Sequence, residues 1–259
     1  MPALYYDSDS LVRRFGRSWP RRLEALGADQ FIELARVLDP RYVPRRVPVS
    51  SRELERTRKA INLSIKDAED GRSHEPEGPI DFIVAQVSKR HPPALLDIGS
   101  GGGFLLAALN RNRAAYNFTA IEIDFRCLSV ARKRARIGPK HHLVGADARR
   151  MCFPGSSFDC ATSNFAFSHI ERFDLAVQET FRVLKPGGTL FACEWEQAVL
   201  SSRLSRQQNV ELAQAVRRFG RASEFLRELR RAGFDVRSAE AKEQEGFRWR
   251  EISVVKPQV

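Results

Sequence analysis

A cluster of glycines between two apolar runs constrains the fold of this chain more than any other feature. Residues 94–109 read ALLDIGSGGGFLLAAL, with glycine at four of the five positions from 99 to 103. The run before the glycines has the length of a buried strand, and the run after them is typical of a helix. Glycine tolerates positive φ and lets a ligand approach the backbone without a Cβ in the way. The free N–H groups at the start of the helix form an electropositive end. The segment therefore predicts a ligand site at a strand-to-helix turn.

Two common phosphate-binding patterns do not fit these glycines. The dinucleotide pattern G-x-G-x-x-G fails because its third glycine falls on Phe104 when counted from Gly99. The pattern G-x-x-x-x-G-K-[ST] fails because no lysine follows the glycines. The pattern that fits is Asp-x-Gly-x-Gly-x-Gly, from Asp97 to Gly103. An acid directly before the glycines repels a pyrophosphate and favours a ligand that carries an ammonium group.

From this turn onward, strand-like and helix-like segments alternate. Strands are predicted at 94–98, 118–123, 141–145, 158–164, 189–195, 234–241 and 248–255, and helices at 79–89, 104–113, 125–137, 175–184 and 222–232. Such alternation is typical of parallel strands joined by crossover helices. The last two strands have no helix between them, so they cannot both run parallel to the rest. The predicted fold is α/β: a doubly wound, mostly parallel seven-stranded sheet with one antiparallel strand near the C-terminus.

The N-terminal part of the chain has a different pattern. Helical spacing of apolar residues precedes GRSHEPEGP at 71–79, which has the composition of a connector. We therefore predict a helical N-terminal extension or lid at 1–75 and one α/β domain at 76–259.

Composition narrows the class of protein. Hydrophobic residues make up 42% and charged residues 29%, as in an ordinary globular protein with a real core. No apolar stretch has the length of a membrane span and no secretory signal is visible. The four cysteines form no CxxC pair and lie near no histidine at ligand spacing, so we expect no metal site and a cytoplasmic protein. The net charge of +11 leaves an anionic partner such as nucleic acid open, although solvated helix faces also explain it.

Residues from about 78 to 256 resemble the class I S-adenosylmethionine-dependent methyltransferases of the small-molecule type. The resemblance rests on the Asp97–Gly103 stretch, on TAIEIDFRCLSVARKRA, on VGADARRMCFPGSSFDCATSNFAFSHI and on VLKPGGTLFACEWE. It implies that S-adenosylmethionine is the cofactor, with S-adenosylhomocysteine as the product. It also implies that the glycine loop, with Gly99, Ser100, Gly101 and Gly103, wraps the methionine part of the cofactor beside Asp97.

The same resemblance implies further cofactor contacts along the chain. Glu122, followed by Ile123, matches the acid that binds both ribose hydroxyls, and Asp124 is its rival. Asp147 matches the acceptor for the adenine amino group, with the N–H of Ala148 at the ring. Asn164 would close the fourth strand beside the sulfonium.

Methyl transfer from a sulfonium is an in-line displacement that depends mainly on the positions of the reactants. A base is needed only where the acceptor loses a proton, and His169, just after the fourth strand, is the candidate for that role; a cap or a polar contact is the other interpretation of this histidine. Phe165 and Phe167 suggest either an apolar wall or core packing. Glu194 or Glu196 would bind a cationic substrate group or face solvent. We predict methylation of an oxygen or nitrogen atom of a small molecule, with an RNA methyltransferase as the alternative.

Overall fold

The computed structural model describes residues 78–111, 118–123, 125–136, 141–197, 210, 222–244 and 247–258. The predicted extension at 1–75 and Asp124 lie outside these residues. Five helices are described: α1 (Gly78–Arg90), α2 (Phe104–Arg111), α3 (Phe125–Arg134), α4 (Phe173–Val183) and α5 (Ala222–Arg231). The strands are β1 (Leu95–Ile98), β2 (Phe118–Glu122), β3 (His141–Gly145), β4 (Phe158–Asn164), β5 (Leu184–Gln197), β6 (Asp235–Gln244) and β7 (Phe247–Val255). Short 3-10 turns at Ala148–Arg150 and Phe167–His169 follow β3 and β4.

The strands form a seven-stranded sheet in the order β3-β2-β1-β4-β5-β7-β6. The pairs from β3 through β5 are parallel, and β7 lies antiparallel between β5 and β6. The predicted fold, including one antiparallel strand near the C-terminus, is confirmed. That strand is β7, because the β6–β7 connection is too short to contain a crossover helix.

Helices cover both faces of the sheet. On one face, buried side chains of α1, α2 and α3 pack against apolar residues of the strands, including Phe118 and Phe191. On the other face, α4 and α5 pack against residues such as Leu96 and Ile252. This arrangement places every parallel strand in a doubly covered core, as the near-continuous apolar runs predict.

The start of β5 differs from the prediction. The strand begins at Leu184 rather than at residue 189, so Pro186, Gly187 and Gly188 lie within it. Gly187 donates its N–H to the Lys256 carbonyl at 2.8 Å, and the Lys256 N–H returns a bond to Gly188 at 2.9 Å. Pairing with the C-terminal end of the chain thus extends the strand through residues that look like a turn in isolation.

The functional site is expected where the parallel strands end, since ligands of such sheets bind outside the carboxyl ends of the strands. In the described part of the chain, no helix combines the length and apolar content needed to cross a bilayer.

Candidate active site

The glycine loop leaves β1 and is held by the end of the neighbouring strand. The N–H groups of Gly99 and Ser100 both donate to the Ile121 carbonyl, at 2.9 and 3.1 Å. The N–H of Gly101 donates to Glu122 Oε2 at 3.0 Å. The loop therefore takes its shape from β2 before any ligand binds.

The loop contains three glycines with positive φ, and their surroundings differ. Gly99, Gly101 and Gly103 have φ of +68°, +50° and +78°. A Cβ on Gly99 would overlap the Cβ of Ala166, and one on Gly103 would come within 2.7 Å of the Ala131 Cα. A Cβ on Gly101 would meet nothing within 4 Å. Gly99 and Gly103 thus permit close packing of the backbone, whereas a side chain on Gly101 would extend into open space.

Asp97, at the end of β1, is buried and only half satisfied. Its side chain Oδ1 accepts a hydrogen bond from Thr162 Oγ1 at 2.9 Å, while Oδ2 has no partner among the described residues. Burial raises the pKa of Asp97 to about 7, the Thr162 hydroxyl lowers it, and the nearby Glu122 carboxylate raises it further. An unpartnered buried carboxylate oxygen is costly in the free protein and is suited to a cationic donor.

Strand register brings the predicted acids and Asn164 to one side of the sheet. Asp97 pairs with Ala120 on β2 and with Thr162 on β4. Because alternate residues of a strand share a face, Glu122 and Asn164 lie on the same face as Asp97, each at the end of its strand. Glu122 is buried, with Oε1 accepting from the N–H of Ile123 at 2.7 Å. Among the described residues, no group of three or more ligand-type side chains is arranged to hold a metal ion.

Asp147 follows β3 and is held by an arginine that the sequence analysis missed. Asp147 Oδ1 accepts from the N–H and Nε of Arg149, at 2.9 and 3.0 Å, and Oδ2 accepts from Nη2 at 2.7 Å. The Nη1 of Arg149 donates to the Glu171 carbonyl at 3.2 Å, which links this turn to the loop before α4. Arg149 therefore occupies the carboxylate for which an adenine contact was predicted, and that contact stays a prediction. An arginine two residues after the acid was the signal available in the sequence.

The turn after β4 is built around a strained aromatic residue. Phe165 has φ of +56°, a conformation that bulky residues rarely adopt. Its N–H donates to the Cys193 carbonyl at 2.8 Å, and its ring stacks on Trp195 with centroids 3.9 Å apart. Phe167 packs against Phe225 at 4.6 Å on the other side of the sheet. Both phenylalanines are buried and pack against other aromatic rings, which agrees with the core role considered for them.

Glu194 on β5 stabilises the same turn. Its carboxylate is 2% exposed and accepts the N–H groups of Phe167 and Ser168, at 2.9 and 3.1 Å. Glu196 pairs with Arg250. Glu194 therefore does not face solvent: it is a buried cap for the turn that carries His169.

Removing this cap is expected to destabilise the protein. Glu194→Ala leaves two buried N–H groups without acceptors, at a cost of about 2–4 kcal/mol in the free energy of unfolding. Denaturation in urea measures the loss. The control is Glu240→Ala, because Glu240 is exposed and its loss should cost about 0.5 kcal/mol or less. Equal stability of the two variants would contradict the capping role.

Comparison with known proteins agrees with this geometry. Residues 96–192 match the family model described as a methyltransferase domain. The match runs from β1 to β5 and so covers the parallel part of the sheet. The chain is 35% identical over 122 residues to the ubiquinone/menaquinone biosynthesis C-methyltransferase UbiE of Bartonella quintana, covering 44% of this chain and 46% of the relative. It is 34% identical over 124 residues to UbiE of Vibrio cholerae, covering 46% and 47%. The chain thus spans about half the length of these curated relatives.

Solved structures show how widely this fold is shared. The [4+2]-cyclase SpnF superposes with a TM-score of 0.63 at 18% identity, covering 85% of this chain and all of that one. The N-methyltransferase NodS of Bradyrhizobium japonicum, solved with S-adenosylhomocysteine, superposes with a TM-score of 0.62 at 13% identity, covering 78% and 99%. SpnF is a cyclase and NodS is an N-methyltransferase, and both superpose on this chain. The fold alone therefore does not determine the reaction.

The described residues beside the glycine loop fit S-adenosylmethionine, the cofactor that the similarity to methyltransferases implies. The unpartnered Asp97 Oδ2 suits the ammonium of the methionine part, and the open space at Gly101 leaves room beside the loop. The Ser100 hydroxyl is buried without a partner among the described residues, so it is available for a further polar contact. These three features match a ligand with a charged amino-acid end.

Proposed function

We propose that the protein transfers a methyl group from S-adenosylmethionine to a small-molecule acceptor. The observation that carries the proposal is the buried Asp97 carboxylate beside a glycine loop that β2 holds in place; one of its oxygens has no partner in the described part of the chain. A dinucleotide pyrophosphate would be repelled by this acid, whereas an ammonium group would satisfy it. The methyltransferase domain match and the names of the relatives support the same reaction.

The cofactor supplies an activated methyl group on a sulfonium, and the protein supplies position. In this proposal Asp97 binds the ammonium, Gly101 and Ser100 border the methionine part, and Glu122 accepts from the ribose hydroxyls. Glu122 already bonds to the loop N–H of Gly101, so ribose binding would act on the loop directly. Asn164 and the turn after β4 would border the reacting methyl group.

His169 is our proposed general base for acceptors that must lose a proton. It lies half-buried at the end of the Phe167–His169 turn, and its N–H donates to the Ala166 carbonyl at 3.0 Å. The Glu194 cap fixes the start of this turn. A buried cap and a strained Phe165 together hold His169 at a defined place after β4, as a positioned base requires.

The acceptor is proposed to be methylated on oxygen or nitrogen, in the cytoplasm. The curated relatives are named as C-methyltransferases, so carbon acceptors belong in the same test. The RNA alternative rests on the net charge of +11. Several described cations are paired within the fold, among them Arg182 with Glu179 and Lys185 with Asp159, so these side chains are not free to contact a nucleic acid.

Calorimetry with S-adenosylmethionine, followed by release of S-adenosylhomocysteine with a panel of small acceptors, tests the proposal. We expect binding of the cofactor and turnover with at least one oxygen, nitrogen or carbon acceptor. A protein that binds no cofactor contradicts the proposal, and turnover restricted to RNA contradicts the choice of acceptor.

Cofactor binding should depend on pH. Because the pKa of Asp97 is raised to about 7, the carboxyl of the free protein is increasingly protonated below that pH and must release its proton to bind an ammonium. The dissociation constant should therefore rise up to about tenfold per pH unit below pH 7. Above about pH 8 the α-amino group of the cofactor loses its own charge, so affinity should be greatest between about pH 7 and 8. Calorimetry from pH 5.5 to 9 measures this profile; a flat acid limb would contradict the assignment of Asp97.

A further inference from the structure

Arg150, in the turn after β3, is a buried cation without a partner among the described residues. The residue is 6% exposed, and neither Nε nor Nη2 of its guanidinium has a hydrogen-bond acceptor in the part of the chain that the structure describes. A buried charge without a counterion is strongly unfavourable.

The acids near Arg150 in the chain are already occupied. Both oxygens of Asp147 accept hydrogen bonds from Arg149. Glu179 binds Arg182 and the N–H of Met151. The turn from 147 to 150 contains one carboxylate and two buried guanidinium groups, which leaves one positive charge uncompensated.

The position of this charge relates it to the cofactor side of the domain. A 3-10 turn has three residues per turn, so residues three apart follow one another along the same side. Asp147 caps the turn, and the Arg150 N–H donates to the Asp147 carbonyl at 2.9 Å. Arg150 therefore follows Asp147 on one side of a turn that begins just beyond the carboxyl end of β3.

We propose that Arg150 binds an oxyanion, a carboxylate or a phosphate of a small molecule, beside Asp147. Whether the methyl acceptor carries this anion rests on the proposed function and is decided by turnover. Nε and Nη2 form the fork with which arginine binds two oxygens of one carboxylate or phosphate. Because both nitrogens are shielded from water, an anion reaches them only when the side chain or the residues around it move. The ligand class that follows is an anionic small molecule.

Thermal unfolding with inorganic phosphate and with acetate tests the site. In wild-type protein we expect the better-matched anion to raise the melting temperature by roughly 5–10 °C at 100 times its dissociation constant. Arg150→Met should lose this response. It should also melt higher than wild type in buffer without either anion, because replacing an unpaired buried charge by an apolar group of similar size removes its cost. The control is Arg227→Met, on the exposed side of α5, which should keep the full response.

Three outcomes would overturn the inference: equal anion responses in wild type and Arg150→Met, no response in wild type, or an Arg150→Met protein that melts lower than wild type without anions. Should Arg150→Met fail to fold, Arg150→Gln replaces it, and an unchanged anion response in that variant is equally decisive.

Cofactor calorimetry on the same proteins separates this inference from the proposed function. Wild-type protein that binds no S-adenosylmethionine disproves the proposed function, whatever the anions do. Protein that binds the cofactor but shows no difference between phosphate, acetate and chloride disproves the Arg150 site alone. If both bind, turnover of acceptors with a free carboxylate or phosphate is compared with turnover of their methyl esters. A preference for the free acids that Arg150→Met loses identifies the methyl acceptor as the carrier, and equal turnover by wild type identifies a separate anion.

Discussion

Asp97→Asn is expected to weaken cofactor binding strongly and, at the same time, to stabilise the unliganded protein at pH 8. The asparagine keeps the shape of the side chain and an oxygen that accepts from the Thr162 hydroxyl. It lacks the charge that binds an ammonium, and removing one partner of a buried charged pair costs about 2–5 kcal/mol. Affinity for S-adenosylmethionine should therefore fall by roughly 100-fold or more, as measured by calorimetry at pH 7.5.

The gain in stability follows from the pKa of Asp97. Burial raises that pKa from 3.8 to about 7, so between these values the folded protein holds a proton that the unfolded chain has released. The contribution of Asp97 to the free energy of unfolding is therefore greatest below about pH 4, and it falls as the pH rises to about 7. At pH 8 the lost contribution is on the order of 4 kcal/mol. The side-chain amide of the variant does not titrate, so the variant should escape this loss.

Urea denaturation at pH 5 and pH 8 measures the difference between the variant and wild type. Asp235→Asn is the matched control, because Asp235 is an exposed aspartate on β6 and should change neither stability nor binding appreciably. An Asp97→Asn protein that binds the cofactor normally would remove the basis of the proposed function. One that is less stable than wild type at pH 8 would show that the charged carboxylate has a partner in the free protein.

The sequence was sufficient for the order of strands and helices and for the one antiparallel strand. Those features depend on local patterns: apolar runs, helical spacing and the missing helix between β6 and β7. The extension of β5 to Leu184 could not be predicted in this way, because it depends on pairing between Gly188 and Lys256, which are distant in sequence.

The same distinction holds at the site. Asp97 was found because its position before the glycines is itself a local pattern. The role of Glu194 was missed because it depends on the alignment of β4 with β5, which brings residues 167 and 168 to its carboxylate. The unpartnered Arg150 was missed because burial without a counterion is a property of the packed structure, not of a stretch of sequence.

The second large effect is expected from substitutions of two glycines in the loop after β1. Gly103→Ala should mainly destabilise the fold, whereas Gly101→Ala should mainly weaken cofactor binding. Gly103→Ala places a Cβ within 2.7 Å of the Ala131 Cα on α3, at φ of +78°. Because the obstacle is backbone, helix and loop must separate. Overpacking and the left-handed conformation together should cost about 3–5 kcal/mol in the free energy of unfolding.

Gly101→Ala meets no atom within 4 Å, and its φ of +50° costs about 1–2 kcal/mol. This variant should fold but lose cofactor affinity by roughly 10-fold or more, because the added methyl group occupies the space assigned to the ligand. Urea denaturation and calorimetry on both proteins separate the two effects. If Gly101→Ala binds S-adenosylmethionine as tightly as wild type, the open space beside the loop is not the cofactor site, and Asp97 must serve another cation. Loss of binding in a folded Gly101→Ala protein would instead place the ligand against the Cα of Gly101. The N–H of the same residue donates to Glu122 at the end of β2.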